Sequence, residues 1–417
     1  MTSTARSGSA ASSAEPPLLE GLVVLELANV LAGPATGMFL AELGARVLKV
    51  EHPAGGDPTR GWRLEHEAAP GAVSAYFACT NWGKESVVLD LGDPEGRAVV
   101  QDLARRADVV LQSFKPGDDV RFGVDAATLR SLNPRAVLAS VTAYGPDDPR
   151  PGFDAVLQAE AGFTFMNGDP DGPPTKMPVA LVDLLAAHQL KEGILLALLR
   201  RERTGRGAEV NVSLLDAALA SLANQATNWL VAGRVPGRMG SAHPNVVPYG
   251  TLYATADGDW IVLAVGTDRQ FAALCRALAL PALAADARFA RNAGRVRHRA
   301  PLDEALVGAF AERRTEDVTR ALRDARVPFG PVNDMRAVFA QPGAAAVRLD
   351  DRLADGSSVA AVSTAVFRGD LPRRVPGPPP ALGAQTRPVL EDFLGYAPER
   401  VAGLLAGPAR PAQGEPA

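Results

Sequence analysis

Several familiar signals are missing from this 417-residue chain, and each absence removes a class of function. It holds two cysteines, Cys79 and Cys275, far apart and in no CxxC pair. They can form neither a disulfide framework nor a zinc knuckle, so a reducing, cytoplasmic compartment is expected. No dense Lys/Arg block occurs, and 43 basic against 47 acidic residues leave a formal net charge of -4. No polyanion-binding field results, so nucleic acid is not the expected partner and any anionic ligand must be gripped locally. No apolar run approaches the roughly 20 residues of a membrane span. Residues 1–17, "MTSTARSGSAASSAEPP", lack an apolar h-region and read as a disordered lead rather than a secretory signal. No GxGxxG follows the first apolar run, where "ELANVLAGP" stands instead, and GxxxxGK[ST], GxSxG and HExxH are absent. The five histidines, His52, His66, His188, His243 and His298, show no ligand spacing. Metal, NAD and serine-hydrolase chemistry all recede.

What is present is an alternation of strands and helices. The chain is long enough for two domains, and 47% of it is hydrophobic. "GLVVLEL", a helix-spaced "ATGMFLAELG" and "RVLKV" make a βαβ unit. The pattern recurs through "SVVLDL", a helix entered at "DPEG", "DVVLQSF", a short helix before Asn133-Pro134, and "AVLASVTAYG". A mostly parallel sheet with helices on both faces is expected. A long helix then runs through "VDLLAAHQLKEGILLALLRRERTG", and "AEVNVSLLDAALASLANQATNWLVAG" passes from a strand into another long helix. After Gly233 the texture becomes α+β. A hairpin turns at Asp257-Gly258, with amphipathic helices near 268–278, 301–313 and 315–325. The tail offers scattered strands, a Pro/Gly-rich connector and a final helical stretch. There is no internal repeat.

The chemistry then rests on carboxylates and helix starts. Gly33-Pro34 reads as the entry of the first helix with Pro at N1, where free N–H groups make a place for an anion. Asp183 stands inside an apolar run at the start of its own helix, where the dipole should favour the ionised form. An ionised carboxylate among Val182, Leu184 and Leu185 is a competent nucleophile towards an acyl group. It is equally the type of residue that caps a helix, although no Glu or Gln follows three residues later to complete a capping box.

Taken in order, "GLVVLELANVLAGPATGMFLAELGARVLKVEHPAGGDPTRGW", "YFACTNWGKESVVLDLGDPEG", "ADVVLQSFKPGDDVRFG", "LNPRAVLASVTAYG", "FDAVLQAEAGFTFMNGDPDGPP" and "VDLLAAHQLKEGILLALLRRERTGRGAEVNVSLLDA" resemble the class III coenzyme A transferases, the family that includes formyl-CoA and carnitine CoA transferases and α-methylacyl-CoA racemases. The resemblance runs from about Leu19 to Leu394. It implies an α/β fold: a large Rossmann-like, doubly wound domain formed by N- and C-terminal parts (18–230 and 336–417), an inserted small α+β domain (231–335), and an interlocked homodimer. It implies no permanently bound cofactor and no metal, with coenzyme A and acyl-CoA as substrates alongside small carboxylic acids. The family's aspartate nucleophile falls on Asp183. Its CoA contacts fall on Leu31 and Ala32; on His52, where relatives often have Arg; on Leu89, Asp90, Leu91 and Gly92; on Ser113, Phe114 and Lys115; on Arg121; and on Pro151, Gly152, Phe153 and Asp154. Lys84 matches the family's "NRGKRS", but Glu85 replaces the second cation there. Ala187 stands where many relatives have Gly.

The resemblance also separates reactions. Racemases of this family move an α-proton with a His that adjoins an Asp, helped by a Glu. Phe153 and Thr251 occupy the matching positions here, and neither is a base at neutral pH. Transfer of CoA is therefore the expected reaction, with racemase-type chemistry and an idle acyl-CoA-binding protein as alternatives. "RMGSAHPNVVPYGTLYATADGDWIVLAVG" looks most like the branch handling succinyl-CoA with glutarate, itaconate or malate. A distal carboxylate on such an acid needs a cation or a helix N-terminus opposite it, and Arg63, Arg238 and His243 are the candidates.

Overall fold

A computed structural model describes residues 15–67 and 73–406, so the lead expected over residues 1–17 lies almost wholly outside the described residues. The chain divides into two compact units. The first comprises residues up to Leu157, Ala180–Ser221 and the tail from Val347; the second comprises Gln158–Val179 and Leu222–Ala346.

In chain order the first elements are β1 (Val23–Leu27), α1 (Ala32–Glu42), β2 (Arg46–Glu51), α2 (Ala75–Ala78), β3 (Lys84–Val88), α3 (Pro94–Arg106) and β4 (Val109–Gln112). There follow α4 (Asp118–Phe122), α5 (Ala126–Leu132), β5 (Val137–Thr142), α6 (Asp154–Glu160), α7 (Phe163–Met166), α8 (Leu181–Thr204), β6 (Glu209–Ser213) and α9 (Leu214–Ala220). The strands form one six-stranded sheet in the order β3-β2-β1-β4-β5-β6. Every pairing in it is parallel, with Val24 opposite Val47 on one side and Leu25 opposite Val110 on the other. The order reverses between β1 and β4, a switch point that opens a crevice beyond the carboxyl ends of the strands. The buried strands are near-continuous Val/Leu runs because helices cover both faces. Leu25, Leu48 and Val110 pack against Val99, Val100 and Leu103 of α3, and Val389, Leu390, Leu394 and Val401 of the tail complete that core.

Helix boundaries differ from the sequence reading in two places. Leu31, not Gly33, is the N-cap of α1, so Pro34 is its third residue rather than its first. The long helix expected after β6 is broken: α9 ends at Ser221, and α10 (Ala223–Ala232) restarts through Ala223 at φ 47°. α3, by contrast, begins where "DPEG" predicts, with the Asp93 side chain accepting from Glu95 N–H. A Cβ on Gly96 would lie 2.1 Å from the Asp90 carbonyl, so only glycine lets α3 sit this close to the loop after β3.

In the second unit β7 (Tyr249–Ala254) and β8 (Trp260–Ala264) form the expected hairpin, and Phe329–Pro331 joins as an antiparallel third strand. Helices over Asp268–Ala277, Arg299–Ala311 and Thr315–Asp324 pack on it around Tyr253, Ile261, Phe271, Leu306 and Phe310. Among the described residues no helix is long and apolar enough to cross a membrane.

Candidate active site

Beyond the switch point lies a cavity of about 550 Å³, lined by the ends of β1 and β2 and by the loops after β3 and β4. It brings together His52, Leu89, Asp90, Leu91, Gly92, Phe114 and Arg121, seven of the residues named from the sequence. His52 Nε2 faces Asp90 Oδ1 at 3.8 Å, while its Nδ1 accepts from Ala54 N–H. Arg121 lies over the Phe122 ring and pairs with Asp118. Ser113 is not on the wall, but its Oγ accepts from the N–H of Asn29, which is. Lys115 is exposed and outside the lining. Sequence reasoning missed Arg97, whose Nη1 donates to the Leu91 and Gly92 carbonyls on the cavity wall. The "DPEGR" run held the signal: a cap at Asp93 places Arg97 in the first turn and a half of α3, back towards the loop it bonds.

A second group gathers at the start of α8. Leu31, Ala35 and Ala187 form a small buried cluster, with Val30, Tyr76 and Ala180 packed against it. Ala32 is buried in the first turn of α1. The cap residue of α8 is Ala180, which supplies no side-chain bond, and Asp183 is the third residue of the helix. Asp183 therefore does not cap. The work falls to Asp154 at the start of α6: buried, its Oδ1 accepts from Val182 N–H at 2.8 Å. Just before it, Phe153 and Pro151 are exposed, whereas Gly152 is half-buried beneath Ala143 and Tyr144. The named residues thus fall into one group at the cavity and another around Asp183, with Lys115 in neither.

Electrostatics at α8 run against the expectation from the dipole. Burial first, and then the neighbouring Asp154 carboxylate, push Asp183 up to about 7. The carboxyl can therefore hold a proton far closer to neutral pH than an ordinary aspartate does. The Tyr76 phenol is pushed up to about 12 by burial and by Asp183, so it stays protonated.

Beneath the site runs an ion network that the sequence did not suggest. Lys49 Nζ meets Glu26 Oε1 at 3.0 Å, Asp57 Oδ2 at 3.0 Å and the Ala28 carbonyl at 2.7 Å. Lys84 Nζ meets the same Glu26 oxygen at 2.8 Å, with Asn81 and the Pro34 carbonyl. Lys84 is thus a buried strut and no part of a basic lining; burial lowers it to about 8 against the pull of Glu26. A Cβ on Gly37 would lie 1.8 Å from Glu26 Oε2, so that glycine makes room for the network. Asp57 also accepts from the N–H of Val30, which sits at φ 71°, a strained setting for a β-branched residue. The network in this way holds the turn that leads into Leu31 and α1.

Of the candidates for a distal carboxylate, Arg238 lies over Phe165 and donates to its carbonyl, and His243 stacks edge-on with Tyr249. Arg63 is already engaged.

The model of the family described as CoA-transferase family III matches residues 19–386. The chain belongs to that family. Consistent with its reach, this CoA-transferase is 40% identical over 385 residues to a succinate–glutarate CoA-transferase of Agrobacterium fabrum, covering 90% of this chain and 96% of the relative. It is 33% identical to a succinyl-CoA–D-citramalate CoA-transferase of Chloroflexus aurantiacus, covering 95% of this chain and 99% of the other. A CAIB/BAIF family protein of Brucella suis has the same fold at 36% identity, with a TM-score of 0.80 over 91% of this chain and all of its own. As a family III CoA-transferase, the protein uses CoA thioesters as substrates.

Proposed function

We propose that this enzyme moves CoA from succinyl-CoA to a free dicarboxylate of the glutarate, itaconate or malate kind, with Asp183 as the acyl-carrying nucleophile. The observation that carries the mechanism is a carboxyl group at the first turn of α8 whose surroundings set its proton affinity near neutral pH. The choice of acids rests on relatives named for succinate, glutarate and D-citramalate.

In the first step an ionised Asp183 oxygen attacks the thioester carbonyl carbon, the C–S bond breaks, and CoA leaves as thiolate with an aspartyl anhydride behind it. The thiolate attacks the Asp183 carbonyl of that anhydride, releasing the donor acid as its carboxylate and leaving an aspartyl-CoA thioester. The acceptor carboxylate attacks this thioester, giving a second anhydride and thiolate. Attack by the thiolate on the acceptor acyl carbon yields the new acyl-CoA and frees Asp183. No water enters and no electron is transferred, so the site must exclude water from both anhydrides. The apolar packing of Leu31, Ala187 and Val182 beside Asp183 serves that need.

In this reading the cavity holds the nucleotide end of CoA, with Arg97 and Arg121 as its cations, His52 as a further polar contact and Phe114 and Phe122 as its aromatic wall. The small α+β unit is the inserted domain, and the working form is an interlocked homodimer in a reducing cytoplasm. Support for the dimer comes from apolar residues left exposed, Leu196 and Leu199 on α8 and Leu230 and Val231 on α10. Support for the compartment comes from Cys79 and Cys275, both free thiols.

Incubation with succinyl-CoA and a panel of free acids, read by mass spectrometry, tests the reaction. New dicarboxylyl-CoA is expected with wild type, and a fall of about 10⁴-fold in D183N with CoA binding retained. No transfer to any acid, with α-hydrogen exchange of a 2-methylacyl-CoA in deuterated water, would overturn it.

A further inference from the structure

Resting on the reading of Asp183 as nucleophile, we propose that Asp154 is a positioning residue for it rather than a contact for CoA: one oxygen anchors the start of α8, and its charge tunes the basicity of the attacking carboxylate. Three observations carry this. α8 has no cap of its own at Ala180. The Val182 N–H, one residue before the nucleophile, is instead taken by Asp154 Oδ1 at 2.8 Å. Asp154 is 7% exposed, so its carboxylate acts on Asp183 through little solvent.

A helix end left without that acceptor would fray, and Asp183 would lose its fixed place in the first turn. The charge does a separate job. A like charge nearby opposes ionisation of Asp183 and so makes the ionised form a better base and a better nucleophile. Burial acts in the same sense, and together they bring Asp183 to about 7.

Tyr76 apart, the other ionisable groups near α8 face other partners. On α2, Tyr76 faces Asp183, with Asp57 and Cys79 acting on that phenol in turn. α1, α9, β5 and β6 also pack on α8. Glu42 of α1 acts on Lys191, Asp216 of α9 accepts from Ser213, Glu209 of β6 meets Arg130, and β5 brings no ionisable side chain. On α8 itself His188 stands with Lys191 and Glu192, more than a turn away from Asp183.

The pH profile of kcat/KM for transfer from succinyl-CoA in wild type, D154N and D154A provides the test, with D183N alongside. Asn keeps an oxygen for Val182 N–H and removes the charge. The acid limb in D154N is therefore expected to move down by about 1 pH unit. D154A is expected to show the same shift and a plateau lower by about a further tenfold, because the helix start is uncapped. An acid limb unmoved in D154N overturns the proposal, and so does a rise in the KM for CoA without any shift, which would make Asp154 a CoA contact. Should D154A not fold, the isosteric D154N decides alone. Transfer surviving in D183N would instead remove the nucleophile reading and this proposal with it.

Discussion

Lys49, fully buried, and Asp183, half-buried, are ionisable side chains of the same unit, and their neighbours treat them in opposite ways. Burial works to strip the charge from Lys49, but Glu26, Asp57 and Glu51 more than offset it and leave its affinity for a proton above the ordinary lysine value. Asp183 also meets burial, and its charged neighbour is another acid, so nothing offsets the cost and the carboxyl is pressed towards its neutral form. The difference separates two uses of buried charge. A compensated charge fixes geometry, here the strained turn at Val30 that leads into α1. An uncompensated charge suits the use proposed for Asp183, because the cost of ionisation in the free enzyme would be recovered on bond formation by the carboxylate.

The sharpest way to break this contrast is to remove the compensation. K49M leaves Glu26 with Lys84 as its remaining cation and deprives Asp57 of its ion pair, both in the interior. A loss of about 4 kcal/mol in urea-unfolding stability is expected, or failure to fold. Partial recovery is expected in K49M/D57N, which removes one stranded carboxylate. A K49M protein as stable as wild type would mean that Lys49 does not compensate Glu26 and Asp57.

The parts of the molecule legible in the sequence are those set by local pattern. Val/Leu runs alternating with helical spacing gave the parallel sheet, and "DPEG" marked the start of α3, because cap and Pro act within a few residues. The start of α1 is not legible from Gly33-Pro34 because Pro is tolerated throughout a first turn, and the cap at Leu31 makes no side-chain bond. The break before α10 is invisible because "SLLDAALASLANQATNWLVAG" has helical composition throughout, and nothing in that composition marks Ala223 for φ 47°. At the site, Asp183 could be singled out by its apolar setting. Its proton affinity could not, since it depends first on burial in the folded chain and then on Asp154, which the fold brings to the start of α8 from a different helix. The same holds for Lys49 and Lys84, whose partners come from β1 and the loop after β2, so each alone reads as an ordinary strand lysine.

On the other side of the contrast, Asp183 acts on stability as well as on rate. Asp183 binds its proton more tightly in the folded protein, at about 7, than at the ordinary aspartate value of 3.8. Between these values the folded state holds more protons than the unfolded one, so this residue makes wild type lose stability as pH rises through the window. Asn does not titrate. D183N is therefore expected to match wild type below about pH 4 and to exceed it by about 3 kcal/mol above pH 8. Urea midpoints of the two proteins across that range provide the measurement. A difference that stays flat with pH would show that neither burial nor Asp154 acts on the carboxyl as described.

The smallest effect is expected at Glu85, and it sharpens the contrast by standing outside both clusters. Glu85 occupies the place of a cation in the family pattern, so the resemblance alone would put an acid where relatives have a base. Its carboxylate instead meets Arg46 on the neighbouring strand through two bonds of 2.8 Å, with both side chains partly exposed and neither on the wall of the cavity. A partly solvated pair of this kind contributes less than about 1 kcal/mol, since water competes for both ends. E85Q is thus expected to shift stability by no more than that, to leave the acid limb of transfer where it is, and to leave the KM for CoA unchanged. A KM several-fold different in E85Q would place Glu85 within the field of the bound nucleotide, and the division between structural and reactive charge would then have to be drawn through β3 rather than between Lys49 and Asp183.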